Sequence, residues 1–288
     1  MSPMPPDAED LRSALRIRLE ADQLLGARVL PIRPPAPRSA VPARAPAVAP
    51  AHSSAPPPRP ASSPPAAPPP KPIPAPAPAD PAVAAARTAS LHTLDVEKVR
   101  NCTRCGLHQA RTRTVFGQGS PTARVVFVGE APGAEEDRTG LAFVGRAGEL
   151  LTAMIEKGMG LKRDDAYICN VIKCRPPDNR TPAPDEITQC VPYLWEQLST
   201  INPEVIVALG GPAAQTLLNT REGITRLRGR WHQVHVSGSP LIGPPTPCMP
   251  TFHPAYLLRS PGEKVKAWED LKLILARLNL PLPSARPR

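Results

Sequence analysis

Four acids fall within eight residues of an otherwise basic chain: Glu130, Glu135, Glu136 and Asp137, in the run Gly129-Glu-Ala-Pro-Gly-Ala-Glu-Glu-Asp137. Clustered carboxylates usually form a solvated face, which is the simplest reading of this run. Its position argues for more. The run follows directly on an apolar, strand-like stretch, its glycines permit a tight backbone turn, and Phe143 follows close behind. Glu130 and Glu136 can therefore project into a cleft beside an aromatic platform, where carboxylates do acid–base or electrostatic work. A second set is made of thiols. Cys102-Thr-Arg-Cys105 puts two on one tight turn, and Cys174 and Cys190 supply two more, separated by a proline-rich loop and the start of a helix. Four thiolates can hold a metal and tie the N-terminal edge of a domain to its middle. The second pair lacks zinc-ribbon spacing, so spacing alone leaves zinc, a [4Fe–4S] cluster and reduced structural thiols open. Cys169, in a strand-like run, and Cys248, in a proline-rich stretch that reads as a loop, are expected to be ordinary thiols.

Groups so far apart in the chain need a scaffold to bring them together. Strand-like runs at 123–129, 166–171 and 205–209 alternate with helix-like runs at 148–157, 185–198, 212–218 and 264–278. That alternation predicts an α/β fold with a mainly parallel sheet covered by helices. In such sheets the chemistry collects on loops at the carboxyl ends of strands, which is where Glu130 and Asn170 fall. Taken alone, Asn170 reads as a polar cap on a strand, Phe143 as a core aromatic and His253 as a turn residue before proline.

Composition divides the chain. Of its 288 residues 43 are proline, and 21 of these lie between Pro31 and Pro81, whereas the first aromatic is Phe116. The expected organisation is a short amphipathic helix within 1–30 (at 7–25) that could dock on a protein partner, a disordered Pro/Ala-rich linker at 31–90, a folded domain at 91–280 and a flexible tail at 281–288. The formal net charge of +10 suits a polyanionic partner but is weak support by itself. No apolar run is long enough to span a bilayer, and the polar, proline-containing start is no signal peptide. A cytoplasmic protein with reduced or metal-bound cysteines, acting as a monomer, is expected.

Four segments in order, GEAPGAEED, TGLAFVGRAGELL, Asn170-Val-Ile-Lys-Cys174-Arg-Pro-Pro and His253-Pro-Ala-Tyr-Leu-Leu-Arg259, together with Leu209-Gly210 and ITRLRGRW at 224–231, resemble family 4 of the uracil-DNA glycosylases, the iron–sulfur bacterial and archaeal type. The resemblance runs from about Asn101 to Leu278. It implies a three-layer α/β/α domain that flips uracil out of single- or double-stranded DNA, hydrolyses its N-glycosidic bond and leaves an abasic site, as in base excision repair. It also implies that Cys102, Cys105, Cys174 and Cys190 hold a [4Fe–4S] cluster, and this, not the spacing, favours iron over zinc. In the roles so implied, Gly129 and Ala131 border the base, Phe143 stacks on it, Asn170 reads its N3–H and O4 edge, Glu136 shapes the pocket near C5, His253 stabilises the departing anion and Glu130 serves the sugar side. Pro254, Ala255, Tyr256, Leu257 and Arg259 would meet DNA, with Leu257 as the wedge and Tyr256 as a second one. Lys173, Arg175, Arg180, Arg226, Arg228 and Arg230 are candidate phosphate contacts. The chain departs from the family in carrying Ala255 where many relatives have Ser, and in its long N-terminal extension. It also lacks the histidine-bearing basic insertion of the branch that stays covalently attached to DNA, so turnover is expected. The alternative is a non-catalytic DNA-binding module built on a four-cysteine zinc or iron–sulfur site.

Overall fold

The computed structural model describes residues 80–236 and 244–283. The helix expected at 7–25 and nearly all of the proline-rich linker lie outside these residues. The folded part starts earlier than composition predicts: helix α1, Pro81–Thr93, lies where the linker was expected to run to residue 90. Asp80 caps it by accepting from the Ala82 N–H at 2.9 Å, and Pro81 occupies the first turn, where a missing donor costs nothing. Leu91 is buried against the core, and Arg87 Nη1 donates to the Ile201 carbonyl at 2.8 Å. The run AVAAARTA at 82–89 shares its alanines with the linker, so composition could not separate a strong helix former from a spacer.

The sheet has six strands: β1 Gln118–Gly119, β2 Val125–Gly129, β3 Tyr167–Asn170, β4 Val205–Leu209, β5 His232–Val234 and β6 Thr246–Thr251. Their spatial order is β1-β3-β2-β4-β6-β5. The inner four are parallel, and β1 and β5 run antiparallel on the two edges. β6 was not expected, because Pro247 and Pro250 disguise it; Cys248 therefore sits in an inner strand and not in a loop.

Among the described residues the other α-helices are α2 Ala134–Thr139, α3 Arg146–Ala153, α4 Pro184–Ile201, α5 Gly211–Leu218, α6 Ile224–Leu227, α7 Pro254–Arg259 and α8 Lys264–Arg277. Alternate strand residues enter two separate cores. Val126, Val128, Cys169, Ile206 and Ala208 pack with Leu91, Leu194, Leu198 and Leu217 on one face. Val125, Phe127, Ile168, Val205 and Val207 pack with Leu151, Leu271 and Ile274 on the other. Helices on both faces explain why β2 and β4 are apolar without alternation, and they give the three-layer α/β/α sandwich that was expected. Each fully buried large side chain contributes about 1.5–3 kcal/mol. Among the described residues no helix is long and apolar enough to cross a membrane.

From β2 the chain moves outward to β3 and then returns to the far side of β2 for β4. A crevice opens at such a reversal, beyond the carboxyl ends of the strands. Gly129, Asn170 and Leu209 end β2, β3 and β4, and Phe252-His253 follows β6, so four well-separated segments deliver residues to one edge.

Candidate active site

A cavity of about 500 Å³ lies at that edge. Glu130, Phe143, Asn170 and His253 all line it, with Ala131 and Glu136 beside them. Gly129 makes the closeness of two of these groups possible. A Cβ on Gly129 would stand 2.4 Å from Asn170 Oδ1 and 2.6 Å from Phe143 Cζ, so any side chain there would push both away.

Phe143 is held by force from several sides. Its φ of 52° is a left-handed conformation that an aromatic residue adopts only under constraint. Glu136 supplies part of that constraint: Oε1 accepts from the Val144 and Gly145 N–H groups at 3.0 and 3.1 Å, while Oε2 accepts from the Gly133 N–H at 3.1 Å. Both carboxylate oxygens thus tie the loop after β2 to the loop carrying the phenyl ring. Arg163 adds a second clamp, its Nη2 donating to the Ala142 and Phe143 carbonyls at 2.8 and 3.0 Å. Gly148 leaves room for the bend, since a Cβ there would lie 1.8 Å from the Phe143 carbonyl oxygen. Asp137 braces another segment, accepting from the Thr112 and Arg113 N–H groups. The acidic run is therefore divided: Glu136, at the cavity wall, and Asp137 brace backbone, Glu135 lies exposed in an ion pair with Arg138, and Glu130 faces the cavity. Arg163 was missed because an arginine near a helix-like run carries no signal until the chain bends back.

His253 caps α7, with Nδ1 accepting from the Ala255 N–H at 3.1 Å. That bond fixes the tautomer, because an acceptor Nδ1 leaves the proton on Nε2. Burial, with the Arg259 guanidinium adding repulsion, lowers the imidazole pKa to about 4. The ring is therefore neutral at pH 7 with an N–H to donate, and its centroid lies 5.7 Å from that of Phe143. Asn170 is buried, and its Oδ1 has no hydrogen-bond partner among the described residues. A buried acceptor left bare costs about 1–3 kcal/mol unless a ligand supplies a donor. Burial also pushes the Glu130 carboxyl above the ordinary carboxylate range.

Other expectations need correction. Leu257, the expected wedge, is 1% exposed and packed in the second core, so it has no surface to offer a duplex. One turn of α7 instead turns Tyr256 and Leu258 outward, while Pro254 is buried, Ala255 and Tyr256 line the cavity and Arg259 stands at its mouth. Lys173, expected at a phosphate, is buried, with Nζ donating to the Asn170 carbonyl and to Gln197 Oε1. Arg228 is taken up by buried Asp270 through Nε and Nη2 and is no free phosphate ligand. Arg180 lines the cavity, but its guanidinium is paired with Glu186 at 2.6 and 2.8 Å, which holds that carboxyl below its usual range. Arg175, Arg226 and Arg230 remain on or near the surface.

Away from the cavity, Cys102, Cys105, Cys174 and Cys190 line one small pocket. Donors point at three of the sulfurs: Arg111 Nη1 at Cys174 Sγ (3.1 Å), the Lys173 N–H at Cys190 Sγ (3.3 Å) and the Tyr193 hydroxyl at Cys102 Sγ (3.3 Å). Burial raises the Cys174 thiol pKa and takes that of Cys190 up to about 11.

The family model described as "Uracil DNA glycosylase superfamily" matches residues 116–272, which contain the whole cavity. The chain belongs to the uracil-DNA glycosylase superfamily. Within it, a type-4 uracil-DNA glycosylase of Thermotoga maritima is 47% identical over 174 residues, 59% of this chain and 84% of the relative. The type-4 uracil-DNA glycosylase of Archaeoglobus fulgidus is 42% identical over 183 residues, 62% of this chain and 89% of the relative. A type-5 uracil-DNA glycosylase of Thermus thermophilus is more distant, 36% identical over 121 residues, 37% of this chain and 54% of the relative. The similarity covers more than four fifths of each of the two type-4 relatives.

Proposed function

We propose that this chain excises uracil from DNA by taking the flipped nucleotide into the cavity and hydrolysing its N-glycosidic bond. The observation that carries the reading is the convergence of Glu130, Phe143, Asn170 and His253 on one cavity, with an unpartnered buried acceptor among them. A base inside a duplex is out of reach, so it must leave the stack at a cost of a few kcal/mol. Stacking on Phe143 repays part of this. Asn170 Oδ1 accepts from uracil N3–H while its Nδ2 donates to O4; cytosine offers the reverse pattern and leaves both groups unpaired. As the bond breaks, negative charge grows on the base and positive charge on the sugar. The neutral His253 donates Nε2–H to O2 on the base side. Glu130, ionised, stabilises the sugar cation and orients the attacking water. Tyr256 and Leu258, which α7 exposes, are the candidates to fill the gap in the duplex, and Arg259 to meet a phosphate.

The cysteine pocket suits a [4Fe–4S] cluster. Four cysteines surround one pocket, and the three donors aimed at sulfur suit thiolate ligands of such a cluster. When bound, the cluster supplies metal–thiolate bonds that pin the 102–105 turn to the exit of β3 and to α4. The corresponding domain is the described body from Asp80 onward.

Incubation of a uracil-containing oligonucleotide with the protein, followed by alkali, tests the reading. Strand cleavage at uracil by wild type, and its loss in His253→Ala and Asn170→Ala, is the expected result. No abasic site from a wild-type preparation that shows iron–sulfur absorbance would sink it.

A further inference from the structure

Lys173 has no part in the chemistry above, yet it is one of the most completely buried charged residues, at 1% exposure. Its ammonium donates to the Asn170 main-chain carbonyl at 2.8 Å and to Gln197 Oε1 at 2.5 Å. Gln197 is also buried, and its Nε2 donates to the Phe116 carbonyl at 2.9 Å and to the Tyr167 hydroxyl at 3.2 Å. The Lys173 backbone is engaged at both ends as well: its N–H donates to Cys190 Sγ at 3.3 Å, and its carbonyl accepts from Val115 N–H at 2.8 Å.

Both acceptors of the ammonium are neutral oxygens. Burying a cation on neutral partners is costly, and an apolar residue of similar length would fill the space at less cost. Apolar packing therefore gives no reason for a lysine here; the residue lines the cysteine pocket, where thiolates would favour a cation, and its head group reaches the end of β3. Asn170 is the last residue of β3, the point at which the chain leaves the sheet. Its side chain points to the cavity while its carbonyl is gripped from behind, so the ammonium fixes the peptide plane that aims the amide.

We propose that Lys173 is a positioning residue for base recognition: through the Asn170 carbonyl it holds the reading amide in register, and through Cys190 it ties that register to the cysteine pocket. The proposal rests on the reading of Asn170 as the group that recognises the base. Gln197 completes the device by orienting the ammonium; along the chain Lys173 reads as a candidate phosphate contact, because basic residues on loops usually face solvent or DNA.

The test uses the full-length protein with its visible iron–sulfur absorbance intact. Three duplexes are compared: one carrying a non-cleavable 2′-fluorinated deoxyuridine, one a tetrahydrofuran abasic analogue and one the matching thymidine. Lys173→Met should bind the first about tenfold more weakly, the effect of one misplaced hydrogen-bonding group, and the second within about twofold of wild type. Its absorbance per protein should be unchanged. Gln197→Leu should show the same pattern at about threefold and carries the test if Lys173→Met is not obtained folded, while Gln197→Glu, which keeps an acceptor, should bind like wild type. Equal losses on the first two duplexes, or loss of absorbance, would mean a merely structural lysine and overturn the proposal, as would unchanged binding of both. A wild type that does not prefer the deoxyuridine duplex to the matching thymidine duplex overturns the reading of the pocket, and this proposal with it. Preference in wild type that persists in the variants overturns the role of Lys173 alone.

Discussion

The ends of β2 and β6 each deliver one titratable group to the cavity, and burial acts on the two in the same sense with opposite consequences. Desolvation disfavours charge, so it raises the Glu130 pKa and lowers that of His253. For His253 this helps: the imidazole works as a neutral donor, and its environment keeps it neutral. For Glu130 it hinders, because the carboxylate must be charged to face a cationic sugar. One end of the sheet obtains its working protonation state from burial, and the other keeps its charge in spite of burial, at the expense of stability. The surroundings match. The imidazole is fixed by a backbone N–H, whereas the carboxylate is left free for substrate and water.

The largest effect should come from the donor. His253→Ala removes the only group assigned to the departing anion, and excision should fall about 10²–10³-fold in single-turnover assays while binding of an abasic duplex changes little. A loss below tenfold would place the anion's stabilisation elsewhere and undo the contrast between the two ends. Glu130→Gln should cost about 10²-fold in the same assay.

A smaller loss separates the two neighbours on α7. Tyr256→Ala should reduce excision from duplex several-fold more than from single strands, because filling the gap matters only where a gap exists. Leu257→Ala should instead destabilise the fold by about 2–5 kcal/mol and reduce both activities together, as core truncation does. Reversal of that pattern would return the wedge to Leu257.

Finer still are the pH effects. With the His253 pKa near 4 in the folded state against 6.5 unfolded, its contribution to stability is complete above pH 6.5 and declines as pH falls toward 4, on the order of 3 kcal/mol in all. For Glu130, whose folded pKa is raised, the sign is opposite: its contribution is present in acid and is lost as pH rises through the folded value. Glu130→Gln should therefore melt at a higher temperature than wild type at pH 7, despite its lost activity. The same variant sharpens the comparison in kinetics. Wild-type excision should fall in mild acid as Glu130 protonates, whereas the residual activity of Glu130→Gln should stay level down to about pH 5, since His253 is not yet charged. A melting point lowered by Glu130→Gln would mean that the carboxylate is stabilised where it stands.

Much of this was legible in the chain. VVFVG and VIVAL read as strands covered on both faces, the order of the four motifs carried the family, and Glu130 and Asn170 fell at strand exits, where a parallel sheet places its chemistry. These are local properties or matters of order, and a sequence holds both in full. What it withheld depends on direction in space. Which of Tyr256, Leu257 and Leu258 faces outward follows from the phase of a one-turn helix against a core built by other segments. That Glu136 and Arg163 brace Phe143, and that Lys173 turns inward to Asn170, follows from loops meeting after the sheet has formed. Residue type sets what a side chain can do; only the packing of distant segments decides whether it is spent on substrate, on backbone or on burial.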